Sequence, residues 1–267
     1  MNVELAPRHK VGLPLRHPLL LAQGTVEILA LCDRRLLGAV VASEVGGKAR
    51  QRRRLLARPG GFLSEEGPGV LSWSGLRDLL RAAGDLPVIG RVRGRDARGA
   101  ARAAARLEAA GVSALQVDLL PGERELAQEV MRAVREACEL PLLAQVPLEG
   151  AVVFARAAEE AGADALVVAA PPQGLAVLDD PASPQAVEVH GPLVHPLALL
   201  AVQQVAESVT IPIVARGGIT GLAGAQAFLA QGAVAVAVDS LATVRPAAVA
   251  EIGRGLQRAR ALIPSGR

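Results

Sequence analysis

Short apolar runs alternate along the chain with longer segments in which apolar residues recur at the spacing of an amphipathic helix. The runs are rich in Val, Ile, Leu and Ala, as in strands that are buried on both faces. Regular alternation of this kind is typical of βα units around a parallel sheet. The predicted strands are Pro18–Ala22, Ala39–Ser43, Pro87–Val92, Ala114–Asp118, Pro141–Val146, Ala165–Ala169, Ile211–Ala215 and Ala233–Val238.

A helical segment follows each predicted strand. Three of the junctions from helix to strand have similar sequences, with glycine where a helix ends in a left-handed cap. They are EAAGVSAL, EEAGADAL and LAQGAVAV. Eight alternating pairs favour a closed (β/α)8 barrel over an open doubly wound sheet, in one domain spanning residues 1–267. The predicted helices are Val26–Leu37, Leu76–Ala83, Arg98–Ala110, Glu123–Cys138, Ala151–Ala161, Pro196–Glu207, Gly221–Gln231 and Ala247–Leu262.

Two connections, Glu44–Ser74 and Ala170–His195, are long for this architecture. Long loops at the carboxyl ends of barrel strands are where binding sites are built. Within them we interpret His190 and His195 as surface or capping residues, and the run Arg52–Arg54 as a solvated cationic loop.

Composition narrows the function classes. The net charge is only +3 and four residues are aromatic, so stacking on nucleic-acid bases is not expected. There is no CxxC motif or histidine cluster for a structural metal, and no apolar stretch of the roughly 20 residues that span a membrane. The N-terminus lacks the apolar run of a signal peptide, so we expect a soluble cytoplasmic protein without a metal site.

The predicted strand ends supply few groups for acid–base chemistry. Asp118 is the one carboxylate at the end of a mid-barrel strand, and Glu44 follows the second strand. These two are candidate catalytic residues. A weaker hypothesis is an enzyme that uses Asp118 with Arg91 and Arg93 on a small anionic substrate.

The Gly217-Gly218 turn after the seventh strand is suited to holding a phosphate on free backbone N–H groups. Asp239 ends the neighbouring strand and would bring a negative charge to that place. Uncompensated at about 4 Å, it would oppose a phosphate by several kcal/mol. Two interpretations stay open: Asp239 pairs with Arg216, or Arg216 turns outward and Asp239 caps the next turn.

An ordered series of segments resembles the dihydroorotate dehydrogenase family. It runs from GLPLRHPLLLAQGT (12–25) through LGAVVASEV, LPVIGRVRG and AEEAGADALVV, and is closest in residues 191–240, from GPLVHPLALL to AVAVDS. The resemblance covers nearly the whole chain and implies an FMN-dependent (β/α)8 oxidoreductase of pyrimidine biosynthesis. By position, it assigns cofactor binding to Ala22, Gly24, Ser43, Gln145, Gly191, Gly217, Gly218, Asp239 and Ser240.

The chain departs from the family where that chemistry is carried out. Ser43 and Gln145 stand where the family has two lysines, and Gln145 is also a candidate catalytic residue. Asp239 stands where the family has the phosphate-binding glycine of the eighth strand. The loop after Asp118 has no Cys, Ser or Thr to act as base, and the substrate-binding motif is reduced to LSEEGPG at 63–69. A missing base typically costs 10²- to 10⁴-fold in rate.

Two functions follow. The first is a dihydroorotate dehydrogenase-like FMN oxidoreductase, with Glu44 or Asp118 as base. The second is a catalytically degenerate barrel that acts as a non-flavin binding or partner subunit. In either case we expect a small-molecule ligand, and the resemblance implies a homo-oligomer or a complex with another subunit.

Overall fold

Eight parallel strands close into a barrel in the computed structural model, which describes residues 3–46, 55–58, 60–65, 70–120, 122, 124–177 and 182–261. Neighbours in the chain are neighbours in the barrel, and the last strand pairs with the first. The predicted (β/α)8 fold is therefore confirmed. The strands are β1 Leu19–Gly24, β2 Ala39–Ala42, β3 Val88–Arg93, β4 Ala114–Asp118, β5 Leu142–Val146, β6 Ala165–Val168, β7 Ile213–Arg216 and β8 Ala235–Val238.

Alternate residues of each strand face two different cores, because side chains on a strand point to opposite faces in turn. Leu19 and Leu21 of β1 pack outward against the helices, whereas Leu20 and Ala22 belong to the interior cluster. A hairpin of Val3–Glu4 and Pro14–Leu15 adds apolar side chains to the interior cluster. Because its residues join that cluster and the polar strand ends lie opposite, the hairpin closes the amino-terminal end of the barrel.

The helices are α1 Val26–Ala30, α2 Trp73–Ala83, α3 Ala97–Ala109, α4 Arg124–Ala137, α5 Ala151–Glu160, α6 His195–Ala206, α7 Leu222–Ala230, α8 Ser240–Val244 and α9 Pro246–Ala261, with 3₁₀ turns at Arg34–Leu36 and Pro192–Val194. Side-chain caps begin several of them: Ser72 accepts from the N–H of Gly75, and Asp96 accepts from that of Gly99. In the described part of the chain, no helix combines the length and apolar character needed to cross a membrane.

The boundaries differ from the prediction in explicable ways. The predicted helix Val26–Leu37 is wrong: α1 ends at Ala30, and Asp33 accepts from the N–H of Arg35 to start a separate 3₁₀ turn. Strands β3 and β5 begin one residue after the predicted prolines, because proline has no N–H for the ladder. The predicted helix ends Glu123 and Leu262 lie outside the described residues, and α8 was not predicted.

The long connections contain strands that were predicted as loops. Gln173–Ala176, Gln185–His190, Gly61–Glu65 and Leu55–Arg58 form a four-stranded antiparallel sheet, here called the outer sheet. Glu44–Val45 also pairs with Val70–Leu71. The run Arg52–Arg54 and the end of the 63–69 motif lie outside the described residues. Through the outer sheet the two long connections pair with each other, which places His190 next to the barrel.

Candidate functional site

Polar side chains from four barrel strands and the segment after β8 meet at the carboxyl end of the barrel. We call these residues the mouth network: Arg91 of β3, Gln116 and Asp118 of β4, Gln145 of β5, Arg216 of β7, and Asp239. Gln116 and Asp118 share one face of β4 because strand side chains repeat every two residues. All but Asp239 are buried, so each needs a polar partner.

Hydrogen bonds run across the mouth in a continuous chain. The Gln116 amide donates to Asp118 Oδ1 at 2.7 Å and to Gln145 Oε1 at 3.2 Å. Arg216 donates from Nη1 to the same Gln145 oxygen and from Nη2 to Asp239 Oδ2 at 2.9 Å. The network therefore links two carboxylates on opposite sides of the barrel through one buried guanidinium.

Arg91 contacts this hydrogen-bonded network through Asp118. Its Nη2 donates to the carbonyl oxygen of Ala22 at 3.2 Å, and its Nε lies 3.3 Å from Asp118 Oδ2. Burial lowers the pKa of the Arg91 guanidinium, and the Asp118 carboxylate acts in the opposite direction. Asp118, a predicted catalytic candidate, thus accepts a hydrogen bond at Oδ1 and makes an ion-pair contact at Oδ2.

The structure decides between the two interpretations of Asp239. Its carboxylate accepts from Arg216, whose side chain is buried, so the outward-facing arginine is wrong. The backbone carbonyl of Asp239 accepts from the N–H of Ala242 at the start of α8. The negative charge at this position is therefore compensated within the protein, and the assumption of an uncompensated Asp239 is corrected.

His190 extends the network into the outer sheet. Its Nδ1 lies 3.7 Å from Asp239 Oδ2, its Nε2 lies 3.4 Å from Glu188 Oε2, and its ring stacks on Phe62 at 4.9 Å. Burial lowers the pKa of His190, but the hydrogen bonds and charges of Asp239 and Glu188 outweigh this and raise the pKa above its usual value. The interpretation of His190 as a surface residue is wrong, because its side chain is buried.

Three predicted glycines surround a cavity of about 210 Å³, here called the glycine niche. Gly191, Gly217 and Gly218 all have positive φ, and Thr220 and Arg245 also line the niche. Packing alone also requires glycine here, because a Cβ on Gly218 would lie 2.5 Å from the backbone nitrogen of His195. A glycine pair after a strand is a backbone arrangement that suits a phosphate, and the ion pair of Arg216 and Asp239 also lines the niche.

The residues that the resemblance assigns to the flavin ring are packed or hydrogen-bonded within the protein itself. Gly24 is required by packing, because a Cβ there would lie 2.1 Å from Val40 Cγ2. The Ala22 carbonyl is bound by Arg91, and the Gln145 amide oxygen accepts from two donors. Ser43 is buried, and Ser240 begins α8. Neither Ser43 nor Gln145 carries the positive charge that a lysine would place beside a reduced flavin.

A larger cavity of about 550 Å³, here called the main cavity, opens beside the niche and shares Arg216 and Pro171 with it. Arg91, Arg93 and Asp118 line it at the barrel end. Glu44, the other predicted base, is half-buried and lies 3.9 Å from Arg93 Nη1. Among the residues that the structure describes, no cluster of His, Cys, Asp and Glu could hold a metal ion.

Sequence reasoning missed Gln116, Glu188 and His190 as members of the site. Gln116 could have been found, since it lies two residues before Asp118 and shares its strand face. Glu188 and His190 had no signal, because their strand belongs to a sheet formed by two distant loops. His195 is half-buried at the start of α6, with its Nε2 3.1 Å from the carbonyl oxygen of Gly224.

Comparison with known proteins places this architecture among flavin barrels. A family model described as dihydrouridine synthase (Dus) matches residues 119–261. The catalytic subunit of dihydroorotate dehydrogenase B (NAD(+)) from Desulforudis audaxviator is 32% identical, over 92% of this chain and 90% of that protein. The same subunits from Pelobacter propionicus and Desulforamulus reducens are 30% and 32% identical, covering 97% and 93% of this chain and 92% and 91% of theirs.

Proposed function

Since this chain belongs to the dihydroorotate dehydrogenase family of flavin-dependent barrel oxidoreductases, we propose that it is a member that has kept the barrel and lost the flavin chemistry. Its barrel mouth binds a small organic anion, and the protein serves pyrimidine biosynthesis as a binding or partner subunit. The observation that carries this proposal is the side chain of Arg216. It joins Gln145, at a position where the resemblance expects a lysine, to Asp239, at a position where it expects a glycine.

This arrangement disfavours redox chemistry for an electrostatic reason. Reducing a flavin places negative charge on its ring, and a preorganised cation beside the ring stabilises that charge. Here Gln145 presents a neutral amide whose oxygen is occupied by Arg216 and Gln116. The cations that remain nearby are paired with carboxylates of the protein, Arg216 with Asp239 at 2.9 Å and Arg91 with Asp118 at 3.3 Å.

Proton transfer is also unsupported. A general base must reach its substrate with a free lone pair and a suitable pKa. Asp118 accepts from Gln116 and faces Arg91, so a substrate would have to displace protein contacts to use it. Glu44 is oriented towards Arg93 at 3.9 Å, across the second strand end.

Visible absorption spectroscopy of the purified protein tests the proposal. We expect a colourless protein that does not take up added FMN in a calorimetric titration. A yellow protein with flavin bands that dihydroorotate bleaches would overturn it.

The variant Asp239→Asn separates charge from shape at the glycine niche. Removing the carboxylate frees Arg216 for an anion, so we expect inorganic phosphate to bind about ten-fold more tightly than in the parent protein. Asp78→Asn, which removes an exposed carboxylate paired with Arg81, is the matched control and should change nothing. Equal phosphate affinity in Asp239→Asn and the parent would contradict the role given to Asp239.

The second candidate function is that of the relatives, a dihydroorotate dehydrogenase that uses FMN. The glycine niche favours it, because about 210 Å³ lined by Gly191, Gly217 and Gly218 is room for a phosphate. In that case Glu44 or Asp118 acts as the base, and the chain pairs with an electron-transfer subunit. Bleaching of a bound flavin by dihydroorotate, lost in Asp118→Asn or in Glu44→Gln, would establish this function and name its base.

A further inference from the structure

The main cavity has two chemically different walls. Its barrel end presents the guanidinium groups of Arg91, Arg93 and Arg216. Its outer wall is apolar and lies between α5 and α6, where Val153, Leu197 and Leu200 line it. These three side chains are 51%, 55% and 52% exposed. Exposed apolar patches that are rimmed by polar residues mark ligand-binding grooves and interaction sites.

Arg93 is the least satisfied cation of the cavity. Arg216 is paired with Asp239 at 2.9 Å, and Arg91 lies 3.3 Å from Asp118. Arg93 approaches Glu44 only to 3.9 Å, although its side chain is 13% exposed. Its buried Nε has no hydrogen-bond partner within the described part of the chain; the Nε of Arg91 has none either, but Arg91 donates from Nη2 to the carbonyl oxygen of Ala22. A buried donor without an acceptor is costly, and a bound anion would supply one.

The three carboxylates that line the cavity either lie near a basic side chain or are exposed. Asp118 is held by Gln116 and Arg91, and Glu188 lies 3.4 Å from His190. Glu149 is at the exposed rim. Among the described residues Arg93 is thus the most weakly paired cation of the inner wall, since Glu44 approaches it only to 3.9 Å.

We propose that the main cavity binds an amphiphilic carboxylate, with its carboxylate on Arg93 and its hydrocarbon chain along Val153, Leu197 and Leu200. This inference rests on the proposed function, because a barrel mouth without flavin leaves the cavity open to such a ligand. A volume of about 550 Å³ is within the range of small-molecule sites. The ligand class is therefore a linear or lightly branched aliphatic acid.

Calorimetric titration of the 267-residue protein with butanoate, hexanoate, octanoate and decanoate tests the proposal. We expect affinity to rise about four-fold for each added methylene until the chain extends beyond Leu200, because each buried methylene contributes a constant increment. Octan-1-ol has the same chain without the charge, and we expect it to bind at least about ten-fold more weakly than octanoate.

Two variants locate the two ends of the ligand. Arg93→Gln should weaken octanoate binding by about ten-fold or more, whereas Arg98→Gln, at an exposed position on α3, should leave it unchanged. Leu200→Ser changes an exposed side chain and should weaken octanoate while leaving butanoate unaffected. This second variant reports on the site even if Arg93→Gln does not fold.

The outcomes separate this inference from the proposed function. A colourless protein that binds none of the acids, or binds octan-1-ol as tightly as octanoate, would overturn the inference alone. Octanoate affinity that is unchanged in a folded Arg93→Gln variant would do the same. A purified protein that already contains flavin would overturn the proposed function, and with it the premise of this site.

Discussion

The two ends of the barrel are stabilised by different kinds of contact. Around the interior and the amino-terminal hairpin, side chains such as Leu20, Leu143 and Val214 pack in an apolar layer. At the carboxyl end the mouth network joins buried charges and amides by directed hydrogen bonds. Apolar packing depends on volume and area, whereas a buried charge depends on one specific partner. The two ends should therefore respond differently to substitution.

The largest effect is expected at the mouth. Arg216→Met removes the guanidinium that donates to Asp239 and leaves this partly buried carboxylate with the more distant His190 ring, at 3.7 Å, which we expect to cost about 4 kcal/mol of the free energy of unfolding. Urea denaturation followed by circular dichroism measures it. The double variant Arg216→Met with Asp239→Asn should recover about half of the loss or more, since the stranded charge is gone. Additive losses in the double variant would show that the pair does not act as a unit.

A somewhat smaller effect is expected in the apolar layer. Leu143→Ala removes a fully buried side chain of the barrel interior and should cost about 3 kcal/mol in the same assay. Here no single second substitution is expected to restore stability, because the loss is a cavity and not a broken pair. Leu31→Ala, at a position 55% exposed, is the control and should stay within about 0.5 kcal/mol of the parent.

A pH-dependent effect should distinguish the two ends further. The pKa of His190 is raised in the folded protein, so its protonated form stabilises the fold. That stabilisation is fully present below about pH 6.5, the unfolded value, and is lost as the pH rises through the folded pKa. Asp239 and Glu188 face the ring, and Arg216 lies behind Asp239.

Unfolding experiments at pH 6 and pH 8 should show less stability at the higher pH in the parent, and a smaller difference in His190→Gln. Leu143→Ala should keep the parent's pH difference. The same difference in His190→Gln as in the parent would assign the pH dependence to another group.

The smallest effect is expected at the surface of the amino-terminal hairpin. Lys10 pairs with Glu139, but both side chains are largely exposed. Exposed ion pairs contribute little because water and salt screen them. Lys10→Gln should leave the urea midpoint unchanged within error. A measurable loss of stability in Lys10→Gln would show that burial does not explain the contrast between the two ends of the barrel.

Much of the fold was predictable from the chain alone, and much of the site was not. Seven of the eight predicted helices have a counterpart of similar extent, because periodicity and caps such as Ser72 and Asp96 are local properties. The exception, around Asp33, is a competing local cap. The outer sheet escaped prediction because its strands Gly61–Glu65 and Gln185–His190 are far apart in sequence and pair only in three dimensions.

The sequence by itself determined the barrel and the family, because apolar periodicity, glycine caps and the order of motifs are properties of the linear sequence. It also located Asp118, Gln145, Arg216 and Asp239 at strand ends. Only the tertiary structure decided what those residues do to one another. The Arg216 side chain points inward to Gln145 and Asp239, and Arg91 binds the carbonyl of Ala22. The reason is physical: the pKa and availability of a buried polar group depend on partners within a few ångströms, and barrel closure brings those partners together from distant positions in the chain.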